Sequence, residues 1–373
     1  MKWWGLICLL MLVAPTSAQE AIPTPEAPGE DTSANHPYYV FLERGSVNDT
    51  LIFVDGLTGE TQRVTVTGER YTVYQLGVMF YDRTLRRVMI AQPDGNISEH
   101  PYIRLAPEVQ RVDWVIADNG ERLAWTVVGT DVQGRLTTRT TIANIDGTGI
   151  RPVYTEVDAD GNRLRALPIG FSADNETLYM DNYPDGIEQF IAFNQYVGIF
   201  ALDLNTQATT LLPGEQGSSC ICGGAIRDDL FLRLRLNIGG TRSGFDMHIY
   251  NLSADTEDVI PAPNVGAYDT AGDVLISDDG SQAIYALASI TDFNTPTQRI
   301  ETVFVLVDVS TLEQRVLNRS PLTLFVRPVT WTEDNSAVIF TNPEQDGTWK
   351  INISDGRLER IADATYLGIY QQT

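Results

Sequence analysis

The chain has 373 residues and a net charge of −23, with 49 acidic residues against 26 Lys and Arg. Such a surface repels phosphate backbones and anionic lipid, which sets nucleic acid and membrane surfaces aside as partners and favours cationic ones. Only Lys2 and Lys350 are lysines, so almost no Schiff-base or lysine-base chemistry is open to the chain.

Taken from the start, residues 1–18 have the form of a secretory signal peptide. Lys2 supplies a positive n-region, Trp3 to Pro15 is almost wholly apolar, and Thr16-Ser17-Ala18 offers small residues for cleavage before Gln19. No later apolar run reaches the ~18 residues of a membrane span. The expectation is a soluble, exported chain, secreted, periplasmic or at the cell surface, with no membrane insertion. Residues 19–37 are rich in Pro, Glu, Ala, Thr and Ser and read as a flexible tether. The texture from 38 to 373 is uniform and reads as a single domain.

One hairpin pattern recurs seven times along that domain. The copies lie at 54–64, 90–103, 142–153, 202–212, 250–260, 307–317 and 351–361, each a short apolar strand, a turn opened by Asp, Asn or Gly, and a second strand. A second element precedes several of them. Phe171-Ser172-Ala173-Asp174-Asn175 leads into Leu178, Ile276-Ser277-Asp278-Asp279-Gly280 into Ala283, and Trp331-Thr332-Glu333-Asp334-Asn335 into Val338. Ile116-Ala117-Asp118-Asn119-Gly120 reads as a fourth copy with one residue inserted. Asp-Asn and Asp-Gly supply the positive φ of a tight turn between strands. An all-strand repeat of roughly 50 residues means radial blades, an all-β β-propeller.

The predicted blades fall at 38–67, 69–105, 110–156, 164–214, 218–262, 267–318 and 323–362. Blade two carries no acid-turn signal, so six blades is the alternative. The first blade lacks its innermost strand, and Ala364 to Tyr370 is an extra β-like run. Pairing the two closes the ring and removes two exposed edges. Two longer connections, 183–196 and 290–301, are expected to protrude from one face.

Ile142-Ala143-Asn144-Ile145-Asp146-Gly147-Thr148-Gly149-Ile150-Arg151-Pro152-Val153 and the Ser-x-Asp-Asn/Gly turns resemble the repeats of TolB-type, WD40-like propellers. They are also similar to the N-terminal propellers of prolyl-oligopeptidase and dipeptidyl-peptidase enzymes. The resemblance covers most of 110–362 and implies the propeller fold. No α/β-hydrolase domain follows and the N-terminal domain of TolB is absent, so neither peptidase activity nor the TolB role is implied.

Few segments carry distinctive chemistry. Ser218-Ser219-Cys220-Ile221-Cys222-Gly223-Gly224 stands where the innermost strand of blade five is expected. Cys220 and Cys222 are a disulfide candidate, with a redox pair, a thiolate metal site and a plain local clip all open. Asp181-Asn182-Tyr183-Pro184-Asp185-Gly186 alternates oxygen ligands, making Asp181 and Asp185 candidates for calcium, with a solvated turn as the other reading. His36, His100 and His248 share no metal spacing. Ser172 and Ser277 fall in repeated structural turns rather than a Gly-x-Ser-x-Gly elbow. The sequence therefore points to a non-catalytic, monomeric scaffold that captures a protein, peptide or ligand, with no catalytic residue assigned. The alternative is a hydrolase or lyase using channel-facing carboxylates and a divalent cation.

Overall fold

The computed structural model describes residues 37–371 except 160, 162, 163, 185, 186, 188–191, 217–219, 239–243, 267 and 319. The leader, the tether up to Asn35, and His36 lie outside the described residues. Pro37, placed in the tether by composition, already belongs to the first strand.

The strands in chain order are β1 (Pro37–Glu43), β2 (Asp49–Asp55), β3 (Thr61–Val66), β4 (Gly68–Tyr74), β5 (Gly77–Asp82), β6 (Arg87–Ala91) and β7 (Ile97–Glu99). Next come β8 (Arg111–Ile116), β9 (Arg122–Thr130), β10 (Leu136–Asn144), β11 (Arg151–Val157), β12 (Leu164–Phe171), β13 (Thr177–Pro184), β14 (Ile199–Asp203) and β15 (Thr209–Leu211). Then β16 (Gly224–Arg227), β17 (Leu230–Asn237), β18 (Gly244–Asn251), β19 (Thr256–Ile260), β20 (Thr270–Ile276), β21 (Gln282–Thr291) and β22 (Arg299–Asp308) follow. The last are β23 (Glu313–Val316), β24 (Arg327–Trp331), β25 (Ala337–Thr341), β26 (Thr348–Asn352), β27 (Leu358–Ala362) and β28 (Thr365–Gln371).

They form seven four-stranded antiparallel sheets, which settles the blade count at seven; β4 to β7 make a regular second blade. The ring closes as expected. β28 pairs with β1, Tyr38 opposite Tyr370 and Leu42 opposite Thr365, so blade one takes strands from both ends of the chain. The innermost strand of blade five is β16, so the cysteine segment precedes that strand rather than replacing it. Gly224 resumes the pairing expected of the blade, opposite Arg233.

Period-two alternation builds the core. Along β21, Ile284, Ala286 and Ala288 pack towards blade seven, while Ala283, Tyr285 and Leu287 pack towards blade five. Apolar clusters of this kind fill the interfaces from blade one through blade seven in turn. The contact between blades seven and one is more polar. Tyr366 donates its amide to Thr348 Oγ1 at 2.8 Å, and the Arg44 amide reaches Asp346 at 2.8 Å.

The repeated turns are structural. Ser172 Oγ donates to Asp174 at 2.6 Å and accepts the Thr177 amide at 2.9 Å. Ser277 and Thr332 make the same pair of bonds, and Asn175, Gly280 and Asn335 hold the positive φ that follows. In blade three the acid position is Asn119, which accepts the Glu121 amide at 3.0 Å, and the positive φ falls on Gly120. That copy therefore has no inserted residue; Ala117 occupies the Ser position.

Candidate functional site

In each blade the turn from the second to the third strand, and the link into the first strand, emerge on the same face, here the upper face. The second-to-third turns run to six residues or fewer on blades one, two, three, five and seven, and are longer on blade six (292–298) and above all on blade four (185–198). Blade four contributes the 185–198 connection, blade five 238–243 and blade six 292–298. Ile290, Thr291 and Arg299 to Glu301 extend β21 and β22, so the blade-six connection is shorter than the expected 290–301.

The blade-four connection does not protrude over its described length. It turns inward and crosses blade five to reach blades six and seven. Phe193 is 3% exposed within the core cluster of blades six and seven and meets Phe325 edge-to-face at 6.0 Å. Asp273 donates its amide to the Asn194 carbonyl at 3.1 Å and accepts the Asn194 amide on Oδ1 at 3.2 Å, Gln195 Nε2 donates to the Ala271 carbonyl at 2.9 Å, and Tyr196 pairs with Cys222 through both amides. The connection is rich in apolar residues, among them Ala192, Phe193, Tyr196 and Val197, and burying Phe193 rather than exposing it is the physical reason for the inward course.

Buried charge anchors this strap. Arg233 and Glu215 have side chains 1% and 0% exposed and meet through Nε–Oε1 at 2.8 Å and Nη2–Oε2 at 3.2 Å. Arg233 also donates to the carbonyls of Cys222 and Tyr196. Asp181 lies beside them, 1% exposed, and accepts the amides of Val197 and Gly198 at 3.0 and 2.8 Å. Burial pushes its carboxyl up to about 6, and the amide bonds and Arg233 pull the other way. Both Asp181 oxygens thus face backbone amides of the strap; Asp185 lies outside the described residues.

Beside the strap opens a cleft of about 390 Å3, lined by Ala192, Gln195, Cys220–Cys222, Leu236, Phe245, Asp269, Thr270, Ile290 and Phe293. It brings together the three features singled out in the sequence: both long connections and the cysteine segment. Cys220 and Cys222 are joined as a disulfide in its wall. Ile221 stands 36% exposed between them, Cys220 is half-buried and Cys222 is 1% exposed. Phe293 is half-buried and packs edge-to-face on Phe325 at 6.2 Å. Most of the lining side chains are apolar, with Gln195, Asp269 and Thr270 as polar points, while the exposed lining surface is about evenly polar and apolar, a make-up that suits an apolar side chain with its backbone held by hydrogen bonds.

Two buried acids on inner strands, Asp113 and Asp273, are charge-paired. Asp113 receives Arg111 through Nε at 2.6 Å and Nη2 at 3.0 Å, and Arg70 as well. Asp273 faces Arg327 Nε at 3.4 Å, and burial raises its carboxyl. Arg70 and Asp273 both hold positive φ, at 60° and 51°, on strands whose register shifts beside them. Among the described residues no three His, Cys, Asp or Glu side chains gather as metal ligands. His100 is buried between blades two and three against Tyr74 and Tyr102, and His248 pairs with Glu257 at 2.6 Å.

Sequence reasoning missed Arg233, Glu215 and Phe193. Arg233 carries a local signal, a charged residue in the apolar β-rich run Leu230-Phe231-Leu232-Arg233-Leu234, whereas Glu215, in Pro213-Gly214-Glu215-Gln216, carries none. Their pairing across the inter-blade link has no local mark.

No protein-family profile matches the chain, and no curated protein matches it. Among solved structures it is similar to TolB from Acinetobacter baumannii, with 13% identity and a TM-score of 0.44 over 90% of this chain and 66% of that one. It is similar to a hypothetical selenium-binding protein from Sulfolobus tokodaii, with 12% identity and a TM-score of 0.47 over 90% of this chain and 93% of that one. It is also similar to the WD40 domain of SCAP from fission yeast, with 9% identity and a TM-score of 0.43 over 89% of each.

Proposed function

We propose that this chain is an exported, non-catalytic propeller that captures a protein or peptide segment in the upper-face cleft between blades five and six. The observation that carries the reading is the cleft itself: a groove lined by apolar side chains interspersed with polar groups, built where the long connections of blades four and six and the cysteine segment meet. A rigid ring whose longest upper turns, on blades four and six, meet at one cleft offers a preformed seat at low ordering cost. The partner's chemistry follows from the walls and the charge. An apolar side chain fills the space between Phe293, Ile221 and Leu236, and flanking Arg or Lys residues meet a chain of net charge −23. Export is supported by the form of residues 1–18 alone.

Panning a random peptide library against the purified chain tests this. The expected winners carry an apolar residue beside Arg or Lys, bind more weakly as salt rises, and lose at least about tenfold in affinity for Phe293→Ser and Ile221→Ser. Winners that bind both variants as well as the parent would place capture elsewhere and overturn the reading.

A further inference from the structure

We infer that the Cys220–Cys222 disulfide is a thiol–disulfide exchange centre that oxidises a dithiol on the segment seated in the cleft. The inference rests on the proposed reading of the cleft as the seat of a partner segment.

Three observations carry it. First, the bond is redundant for the fold. It joins residues only two apart, and the restriction a disulfide places on the unfolded chain grows with the length of the loop it closes, so here it is small. The same segment is already held by the Tyr196 amide on the Cys222 carbonyl at 2.8 Å and the Leu234 amide on the Gly223 carbonyl at 2.9 Å. Arg233 grips the Cys222 carbonyl as well. Second, the bond sits in the wall of a cleft with room for a peptide side chain, not in a sealed core. Third, its two cysteines differ in exposure: Cys220 is half-buried beside the 36% exposed Ile221, whereas Cys222 is 1% exposed. On the proposed reading an incoming thiolate attacks Cys220, the more exposed of the two, rather than Cys222.

The chemistry balances with a dithiol as the reductant. One thiolate of the partner attacks Cys220 Sγ, the Cys220–Cys222 bond breaks, and Cys222 leaves as a thiolate that takes up the proton the first thiol gave to solvent. A mixed disulfide now links Cys220 to the partner. The partner's second thiolate attacks its own bridged sulfur and expels Cys220. The partner ends as a disulfide, oxidised by two electrons, and this chain ends as the dithiol.

The test uses the full chain and a reduced peptide, Arg-Cys-Gly-Phe-Cys-Arg. Mass spectrometry should show the peptide losing two hydrogens and the protein gaining two, about tenfold faster or more than with the oxidised free peptide Ser-Ser-Cys-Ile-Cys-Gly-Gly, the sequence of 218–224. Cys222→Ser, mixed with the oxidised substrate peptide, should trap a mixed disulfide at Cys220; Cys220→Ser should trap none. A rate no faster than that of the free peptide, or trapping at Cys222 in preference, overturns the inference, and the first of these needs no variant to fold. The serine analogue Arg-Ser-Gly-Phe-Ser-Arg separates the two proposals. Analogue binding without oxidation of the cysteine peptide sinks the exchange and leaves capture standing, whereas no binding by either peptide counts against both.

Discussion

Arg233 grips Glu215 through both carboxylate oxygens, at 2.8 and 3.2 Å, with both side chains inside the protein. The pair ties the link between blades four and five to the middle of blade five, and through the Tyr196 and Cys222 carbonyls it holds the strap and the cysteine segment together. A buried pair of this kind is most visible when one partner is removed, because the other is left charged and desolvated. Arg233→Met is expected to lower unfolding free energy by about 3–5 kcal/mol in urea titrations at neutral pH. A loss under about 1 kcal/mol would show that water reaches Glu215 once the arginine is gone.

Phe193 and Phe293 both face Phe325, yet they belong to different functions. Phe193 is 3% exposed and fills the core of blades six and seven. Phe193→Ala should cost about 3–5 kcal/mol, as a large-to-small change in a packed site. Phe293 lines the cleft half-buried, and its replacement by Ser should cost well under half as much. Equal melting temperatures for the two variants would mean that the strap is not part of the cooperative core.

Two buried groups oppose each other in the pH dependence of stability. Burial lowers His100 from 6.5 to about 4, so between these values the unfolded chain carries a proton that the native chain does not. Its contribution is present above pH 6.5 and is lost as pH falls through 4. Burial raises Asp181 from 3.8 to about 6, so there the native chain carries the extra proton and stability is regained as pH falls from 6 to 3.8. Each contribution is worth about 3 kcal/mol in full, and the two nearly offset across the shared window. His100→Phe should therefore gain stability on acidification from pH 6.5 to 4.5 relative to the parent, and Asp181→Asn should lose it. Urea midpoints for both variants that run parallel to the parent across the window would rule this out.

Ring closure depends on β28. A chain ending at Asp363 leaves the edge of β1 unpaired and loses the stack of Tyr370 on Tyr38 and the contact of Tyr366 with Phe41. Exposed edges recruit other chains. Light scattering should show concentration-dependent association of the truncated chain, reversed by adding a peptide of residues 364–371. A truncated chain that stays monomeric, with the parent's melting temperature, would mean that β1 is protected in another way.

The blade-three turn offers a gain. Ala117 takes the place that Ser172, Ser277 and Thr332 occupy in the other copies, and its neighbours already follow the same course. Ala117→Ser should add about 0.5–1 kcal/mol by providing the missing donor and acceptor, whereas Ser172→Ala should lose a similar amount. Thermal melts of the two variants that shift in the same direction would contradict the shared role.

The sequence by itself determined the architecture. Period-two strands, Asp- and Asn-opened hairpins and Ser-x-Asp turns are local signals, each read within about ten residues, and their repetition left a ring of seven blades as the economical solution. The spare strand at 364–370 and the strandless start of blade one likewise identified each other, because an open edge must be paired. Only the tertiary structure decided where the blade-four connection goes, that Phe193 leaves its own blade for the core of blades six and seven, and that Arg233 meets Glu215. Those outcomes depend on contacts between segments 18 to more than 100 residues apart, set by how neighbouring blades pack. The cleft that gathers both long connections and the Cys220–Cys222 bond is a product of that packing. Its parts could be named from the sequence, but their meeting required the folded ring.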